Sequence, residues 1–188
     1  MDPPMAPVLD LIPIYLAQER ELIGRLAERI EYKFHMPVRV RRRWFDPETA
    51  YDGSRGQYNS RIMLKMLLAD PTDDALKVIG VTSVDLFTPV LTHVFGEGQL
   101  GGRVAVVSAH RLRPEAYGLP EDEALVFARL EIEAVHELGH TFGLLHCVEP
   151  SCVMHASTYV EEIDLKSPEF CTECLRAMAG QARAGQSA

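Results

Sequence analysis

The chain reads as an α/β protein whose first three strands pair in parallel, and three observations carry that prediction. Strand-like apolar runs alternate with helix-period segments through the first half. The 188 residues, 47% hydrophobic and 24% charged, are enough to bury one core without disulfide staples. Regular periodicity lapses after Gly143. The chain therefore reads as a single domain, with an α/β subdomain over 1–143 and a smaller one over 144–188.

The elements follow in order. Residues 8–15 form an apolar run with β-branched content, a buried strand. The run 11–17 is short and interrupted by Pro13, well below the roughly 20 apolar residues of a membrane helix. From 17 to 34, Leu22, Ile23, Leu26, Ile30 and Phe34 recur at helical spacing, with charges opposite. Pro37 stops that helix, and 38–43 alternates apolar and basic residues as a half-exposed strand. The basic run of Arg39, Arg41, Arg42 and Arg43 reads as its solvated edge.

The polar stretch 45–57, holding Pro47, Gly53 and Gly56, reads as a loop. Asn59 can cap a helix through about Leu68, and 76–84 is a further buried strand. Gly96, Gly98, Gly101 and Gly102 form a turn feeding the β-branched run 104–107. A long helix begins near Glu121 and runs through His140. A short helix near 172–179 precedes a small, polar tail at 180–188, expected to fray.

The net charge of −8 disfavours general nucleic-acid binding, and residues 114–174 alone hold thirteen acids against Arg129 and Lys166. The first residues carry an acid where a signal peptide carries bases, so a cytoplasmic location with reduced thiols is expected. No nucleic-acid or membrane partner is expected. Four cysteines are too few for a disulfide scaffold, and all fall in the last 42 residues. In a reducing compartment such a cluster points to metal.

Chemistry concentrates on His136-Glu137-Leu138-Gly139-His140. Histidines at i and i+4 share one helix face and can reach one ion, while Glu137 is offset to contact a water there. Alone, such a helix could simply present a solvated face. Gly143, three residues on, permits a left-handed reversal that would return His146 as a third ligand. Three neutral histidines with an open fourth position are typical of catalytic zinc, which lowers the pKa of a bound water to about 7. Glu137 would act as general base. Leu130, Ala134 and Leu138 form the helix's core side, and Arg129 with Glu133 reads as an i, i+4 surface salt bridge.

Cys147, Cys152, Cys171 and Cys174 form C-x4-C-x18-C-x2-C. Two close pairs separated by a loop match a closed structural zinc site, whose binding energy would fold a segment poor in apolar residues. Four buried thiols or two disulfides are the alternatives. Two zinc ions per chain are thus expected, one catalytic and one structural.

The order HELGHTFGLLHC, then SCVM, then FCTEC, resembles the archaemetzincin branch of the metzincins. The resemblance implies a zinc-dependent metallopeptidase acting on a peptide or protein. It implies a mixed, mostly parallel sheet with an antiparallel edge strand, a long active-site helix and a small zinc-stabilised C-terminal lobe. By position, His136, His140 and His146 would bind the catalytic zinc, Glu137 would be the base and Met154 would floor the site. Residues 99–108 would supply the antiparallel edge rimming the cleft, where a substrate strand could add.

Some metzincins carry a tyrosine ligand two residues after that methionine; here the position is Ala156, and Tyr159 is not assigned the role. His155 is read as a surface or supporting histidine. The competing functions are an inactive peptide-capture module of the same fold and a triple-histidine nuclease. The intact Glu137 opposes both, and the negative charge opposes the second.

Overall fold

A computed structural model describes residues 7–16, 18–70 and 74–184, the last four as backbone alone. The first six residues, on which the expectation of no leader rests, and residues 185–188 of the tail lie outside the described residues. The chain runs β1 (Leu9–Ile14), α1 (Arg20–Phe34), β2 (Val38–Val40), β3 (Tyr51–Asp52), β4 (Gln57–Asn59), α2 (Ser60–Leu68) and β5 (Lys77–Thr82). There follow β6 (Leu86–Thr88), β7 (Leu91–Val94), β8 (Gly96–Gly98), β9 (Val104–Ser108), α3 (Glu123–Thr141), α4 (Val160–Ile163) and α5 (Thr172–Ala184).

The main sheet has the order β2-β1-β5-β9-β8. β1 lies parallel to β2 and β5, β5 lies parallel to β9, and β8 is antiparallel to β9. The predicted mixed sheet with one antiparallel edge is therefore the observed one, but the edge lies elsewhere. Residues 104–108 are internal, parallel to β5 and wholly buried; the antiparallel edge is Gly96–Gly98. The reason is two-sided cover. Ala105 and Val107 join the cluster of α1 and α3, whereas Val104 and Val106 join Met63 and Leu67 of α2. Such a strand shows no polar alternation to distinguish an edge from a centre.

The expected loop at 45–57 instead holds a 3-10 turn at Pro47–Ala50 and the strands β3 and β4. Asp46 caps that turn by accepting from the Glu48 N–H, and the Tyr51 and Tyr58 rings pair across the strands at 5.0 Å. These join β6 and β7 in a second sheet of order β3-β4-β6-β7. Strands of two to four residues are too short to show a period. Asn59 caps α2 as its sequence suggests, accepting from the Arg61 and Ile62 N–H groups.

Two further expectations are corrected. Arg39 and Arg41 are not a solvated edge: both bond the fully buried Asp10, Arg39 also engages Asp74, and Arg41 also engages Asp70. A carboxylate buried inside a parallel sheet needs such partners. α5 extends to Ala184, past the predicted end at 179, because its added turn is rich in alanine, glutamine and arginine. The C-terminal segment has no core of its own. Leu144, Val153, Met154, Val160, Ile163 and Phe170 are buried in the α1–α3 cluster, and Phe34 stacks on Phe142 at 5.1 Å.

Candidate metal centre and active site

The helix α3 begins at Asp122, whose carboxylate accepts from the Leu125 N–H. Leu130, Ala134 and Leu138 are fully buried against the sheet. The opposite side carries His136, Glu137 and His140. The Nδ1 atoms of His136 and His140 each lie 2.8 Å from a carbonyl oxygen, of Val153 and Leu144 respectively. A carbonyl only accepts, so Nδ1 carries the proton and each Nε2 presents a lone pair.

Those two Nε2 atoms sit 3.1 Å apart with no proton to share between neutral rings. Converging lone pairs call for a cation, and the carbonyl partners match the outer contacts of metal-ligating imidazoles. Burial holds all three histidines below the usual imidazole range, which keeps them neutral and able to ligate. His146 joins them, its ring centroid 5.3 Å from that of His136 and 5.0 Å from that of His140. One nitrogen from each of the three lies within 4.8 Å of the others.

The reversal that returns His146 passes through Gly143 at φ +84°, in the left-handed region. Met154 is fully buried beneath the helix. It lies so close that a Cβ on Gly139 would fall 2.4 Å from its sulfur. Gly139 is thus the gap through which the methionine approaches α3, a role that its place in the motif does not announce.

Glu137 faces β8 across the cleft. A Cβ on Gly96 would lie 2.6 Å from the Glu137 Cγ, and one on Gly98 would lie 2.3 Å from the Glu137 carbonyl oxygen. The two glycines let an edge strand lie directly on the helix. Burial, reinforced by Glu133 and Glu97, pushes the Glu137 carboxyl well above its ordinary range, while the Gly98 N–H bond works to lower it. The cleft measures about 480 Å³ and is lined by the histidines, Glu137, β8, the β6–β7 hairpin and residues 156–158.

The four cysteines form the second donor set, their sulfurs within 4.8 Å of one another. Cys147 and Cys171 sulfurs are 3.7 Å apart, and those of Cys152 and Cys174 are 3.8 Å apart. Bonded sulfurs would lie about 2.05 Å apart, whereas the edge of a tetrahedron with Zn–S near 2.3 Å is about 3.8 Å. The Cys171 N–H points at the Cys152 sulfur and the Glu149 N–H at the Cys147 sulfur. Burial pushes Cys147 and Cys174 up, while the Cys174 N–H draws Cys171 down to about 7. Four thiolates would coexist here only around a cation.

Arg129 and Glu133 do not pair with each other at the surface. Arg129 is held by Asp164 at 2.7 Å, and Glu133 by Lys166 at 3.0 Å. Both partners come from the C-terminal segment, so α3 uses these charges to dock it. Lys166 also donates to the His155 carbonyl at 3.1 Å. His155 itself supports the site: its Nδ1 is 2.9 Å from the Cys147 carbonyl, and the Cys147 N–H donates to Met154. Tyr159 is exposed and caps α4. No helix of the described residues is long and apolar enough to cross a membrane.

The model of peptidase family M54 matches residues 8–180. An archaemetzincin of Methanocaldococcus jannaschii is 45% identical over 132 residues, 70% of this chain and 72% of that protein. One from Methanopyrus kandleri is 39% identical over 165 residues, covering 87% and 90%. The crystal structure of the Methanopyrus kandleri archaemetzincin covers 97% of this chain and 99% of its own at TM-score 0.83 and 35% identity. A zinc-dependent peptidase from Methanocorpusculum labreanum covers 90% of this chain and 99% of its own at TM-score 0.75 and 29% identity.

Proposed function

From the premise that this chain belongs to peptidase family M54 and is a zinc metalloprotease acting on peptides or proteins, we propose that His136, His140 and His146 hold its catalytic zinc, with Glu137 as general base. We read the whole chain as one metallopeptidase domain, in which Cys147, Cys152, Cys171 and Cys174 hold a second, structural zinc. That metal would tie the 144–188 subdomain to the 1–143 subdomain, with cytoplasmic action. The single observation that carries the catalytic reading is the pair of Nε2 lone pairs aimed at each other beside a buried carboxylate.

When bound, zinc supplies Lewis-acid polarisation of the attacked carbonyl and of a water. The protein does the rest. The Val153 and Leu144 carbonyls fix the tautomers of His136 and His140. Met154, seated against Gly139, floors the site without offering a competing charge. Glu137, raised by burial, takes the proton from water and delivers it to the leaving amine. β8 is the edge strand of the main sheet, and an extended peptide would add antiparallel or parallel to Gly96–Gly98 and place its carbonyl over the histidines. The side chains missing from Gly96 and Gly98 keep that edge in register with Glu137.

Cleavage of a mixed peptide library by wild type and Glu137→Gln tests the reading. The variant should keep its zinc and lose about 10²–10⁴-fold in kcat. Equal inertness of both proteins, fully loaded with zinc, would favour a peptide-capture module instead.

A further inference from the structure

Lys77 is an unusual residue to find at the head of the central strand β5. It is 9% exposed. Among the described residues no carboxylate pairs with it; its ammonium instead donates to two backbone carbonyls, Gly102 and Thr141, each at 2.7 Å. The Phe142 ring lies 4.7 Å away and presents its π face to the charge. Ile79 and Val81, at alternate positions of the same strand, face the α1–α3 core, so Lys77 projects to that side as well.

Its two acceptors belong to different parts of the active site. Thr141 ends α3 one residue after His140, and its carbonyl is one that no helical N–H can reach. A cation at this end of a helix also meets the negative pole of the helix dipole. Gly102 lies in the turn that joins the edge strand β8 to β9. The same turn is gripped from the other side, where the Gly101 N–H donates to the His140 carbonyl at 2.9 Å. The hairpin that carries the cleft's edge strand and the last turn of the histidine helix are therefore fastened through one buried ammonium, itself rooted in the rigid centre of the sheet.

We propose that Lys77 is a positioning residue for peptide hydrolysis: it sets the height of the β8 edge over the His136–Glu137–His140 face by joining Gly102 to Thr141. The proposal rests on the peptidase reading above and adds to it the group that holds substrate-pairing backbone in place. Replacing the ammonium leaves two carbonyls without a donor and frees the turn, while leaving every histidine and Glu137 intact. Substrates long enough to pair along β8 should suffer. Substrates too short to reach it should suffer much less.

The experiment compares zinc-loaded wild type, Lys77→Met and Lys77→Arg on two readouts. In hydrogen exchange, the methionine variant should lose protection at the Gly101 amide, and arginine should restore much of it. In kinetics, the methionine variant should raise KM for a hexapeptide about 10- to 100-fold, the scale on which misplacement of a bound group acts. A dipeptide amide, which feels the shift only through the Gly98–Glu137 contact, should lose much less in kcat/KM than the hexapeptide, and zinc content should equal that of wild type. Unaltered protection at Gly101, or equal losses on both substrates, would overturn the proposal. So would failure of the arginine and methionine variants alike to fold, which would make the contact purely structural. A wild type inert on both peptides would instead overturn the peptidase reading, and the exchange result distinguishes the two failures.

Discussion

The two donor sets of this protein are neighbours in sequence and opposites in construction. The histidines stand on a nineteen-residue helix packed against a sheet, with their ring orientations fixed by carbonyls. The cysteines stand on loops and one helix start, in a segment whose buried apolar side chains are lent to the α1–α3 core while Leu145, Val148 and Leu165 stay exposed. Remove a metal from the first set and the helix still has Leu130, Ala134 and Leu138 to hold it. Remove one from the second and little but docking contacts remains. Three nitrogens around an open cleft suit chemistry; four sulfurs closed on themselves suit architecture.

The largest effect expected from this contrast is on folding. Cys171→Ser/Cys174→Ser should release one zinc and open residues 144–180 to limited proteolysis, since structural zinc binding is worth about 10–16 kcal/mol in small domains. His136→Ala/His140→Ala should also release one zinc, yet leave the proteolysis pattern and the circular dichroism nearly unchanged. If the histidine variant unfolds as fully as the cysteine variant, the division of labour is wrong.

A middle-sized effect tests whether the two sets are mechanically joined. Lys166, buried with Glu133 one turn before His136, also holds the His155 carbonyl beside the cysteine loop. Lys166→Met strands a buried carboxylate and should cost about 3–5 kcal/mol in denaturant melts. It should also weaken zinc binding at the histidines more than at the cysteines. Equal weakening at both would show that the pair stabilises the fold without joining the sites.

The smallest effect belongs to a region held by neither set. Asp85 anchors the hairpin sheet through Arg111 at 2.6 and 2.7 Å and through Gln57. Burial works to raise its carboxyl, but these partners prevail and hold it below the ordinary aspartate value. A lowered pKa contributes stability above the unfolded value of 3.8 that disappears as pH falls through the folded one. With Arg111 one-third exposed, screening limits this to about 1 kcal/mol or less. The melting gap between wild type and Asp85→Asn should therefore be present at pH 7 and close towards pH 3. A gap that does not change with pH would remove the ion pair from the account.

Legibility in the sequence followed the same contrast. The helices showed through because periodicity over ten or more residues records one buried face, and the longer strands because they are unbroken apolar runs. The histidine and cysteine sets showed through because their spacings are those that ligands of one ion need, and the fold gathers each set. Less visible was whatever depends on absence or on distant partners. Gly96, Gly98 and Gly139 matter for side chains they lack, which no periodic pattern encodes. Arg129 and Glu133 looked like each other's partners, since their mates, Asp164 and Lys166, are more than thirty residues away. The edge strand was misplaced because the true edge is only Gly-Glu-Gly, which carries no strand pattern, whereas the neighbouring central strand is an apolar run. The second sheet escaped notice because its strands are shorter than a period.

His146 and Cys147 are adjacent in the chain but belong to different donor sets. A ribosome makes the chain from its first residue onward, so the seven donors emerge in a fixed order, with Cys171 and Cys174 last. If the four sulfurs close on a zinc, as proposed, His146 would be drawn into place by the neighbouring sulfur only once those two have appeared. A nascent copy would already display its histidine helix and edge strand, yet would lack the third nitrogen held in position. Cleaving activity would then switch on late in synthesis, on a clock set by chain growth.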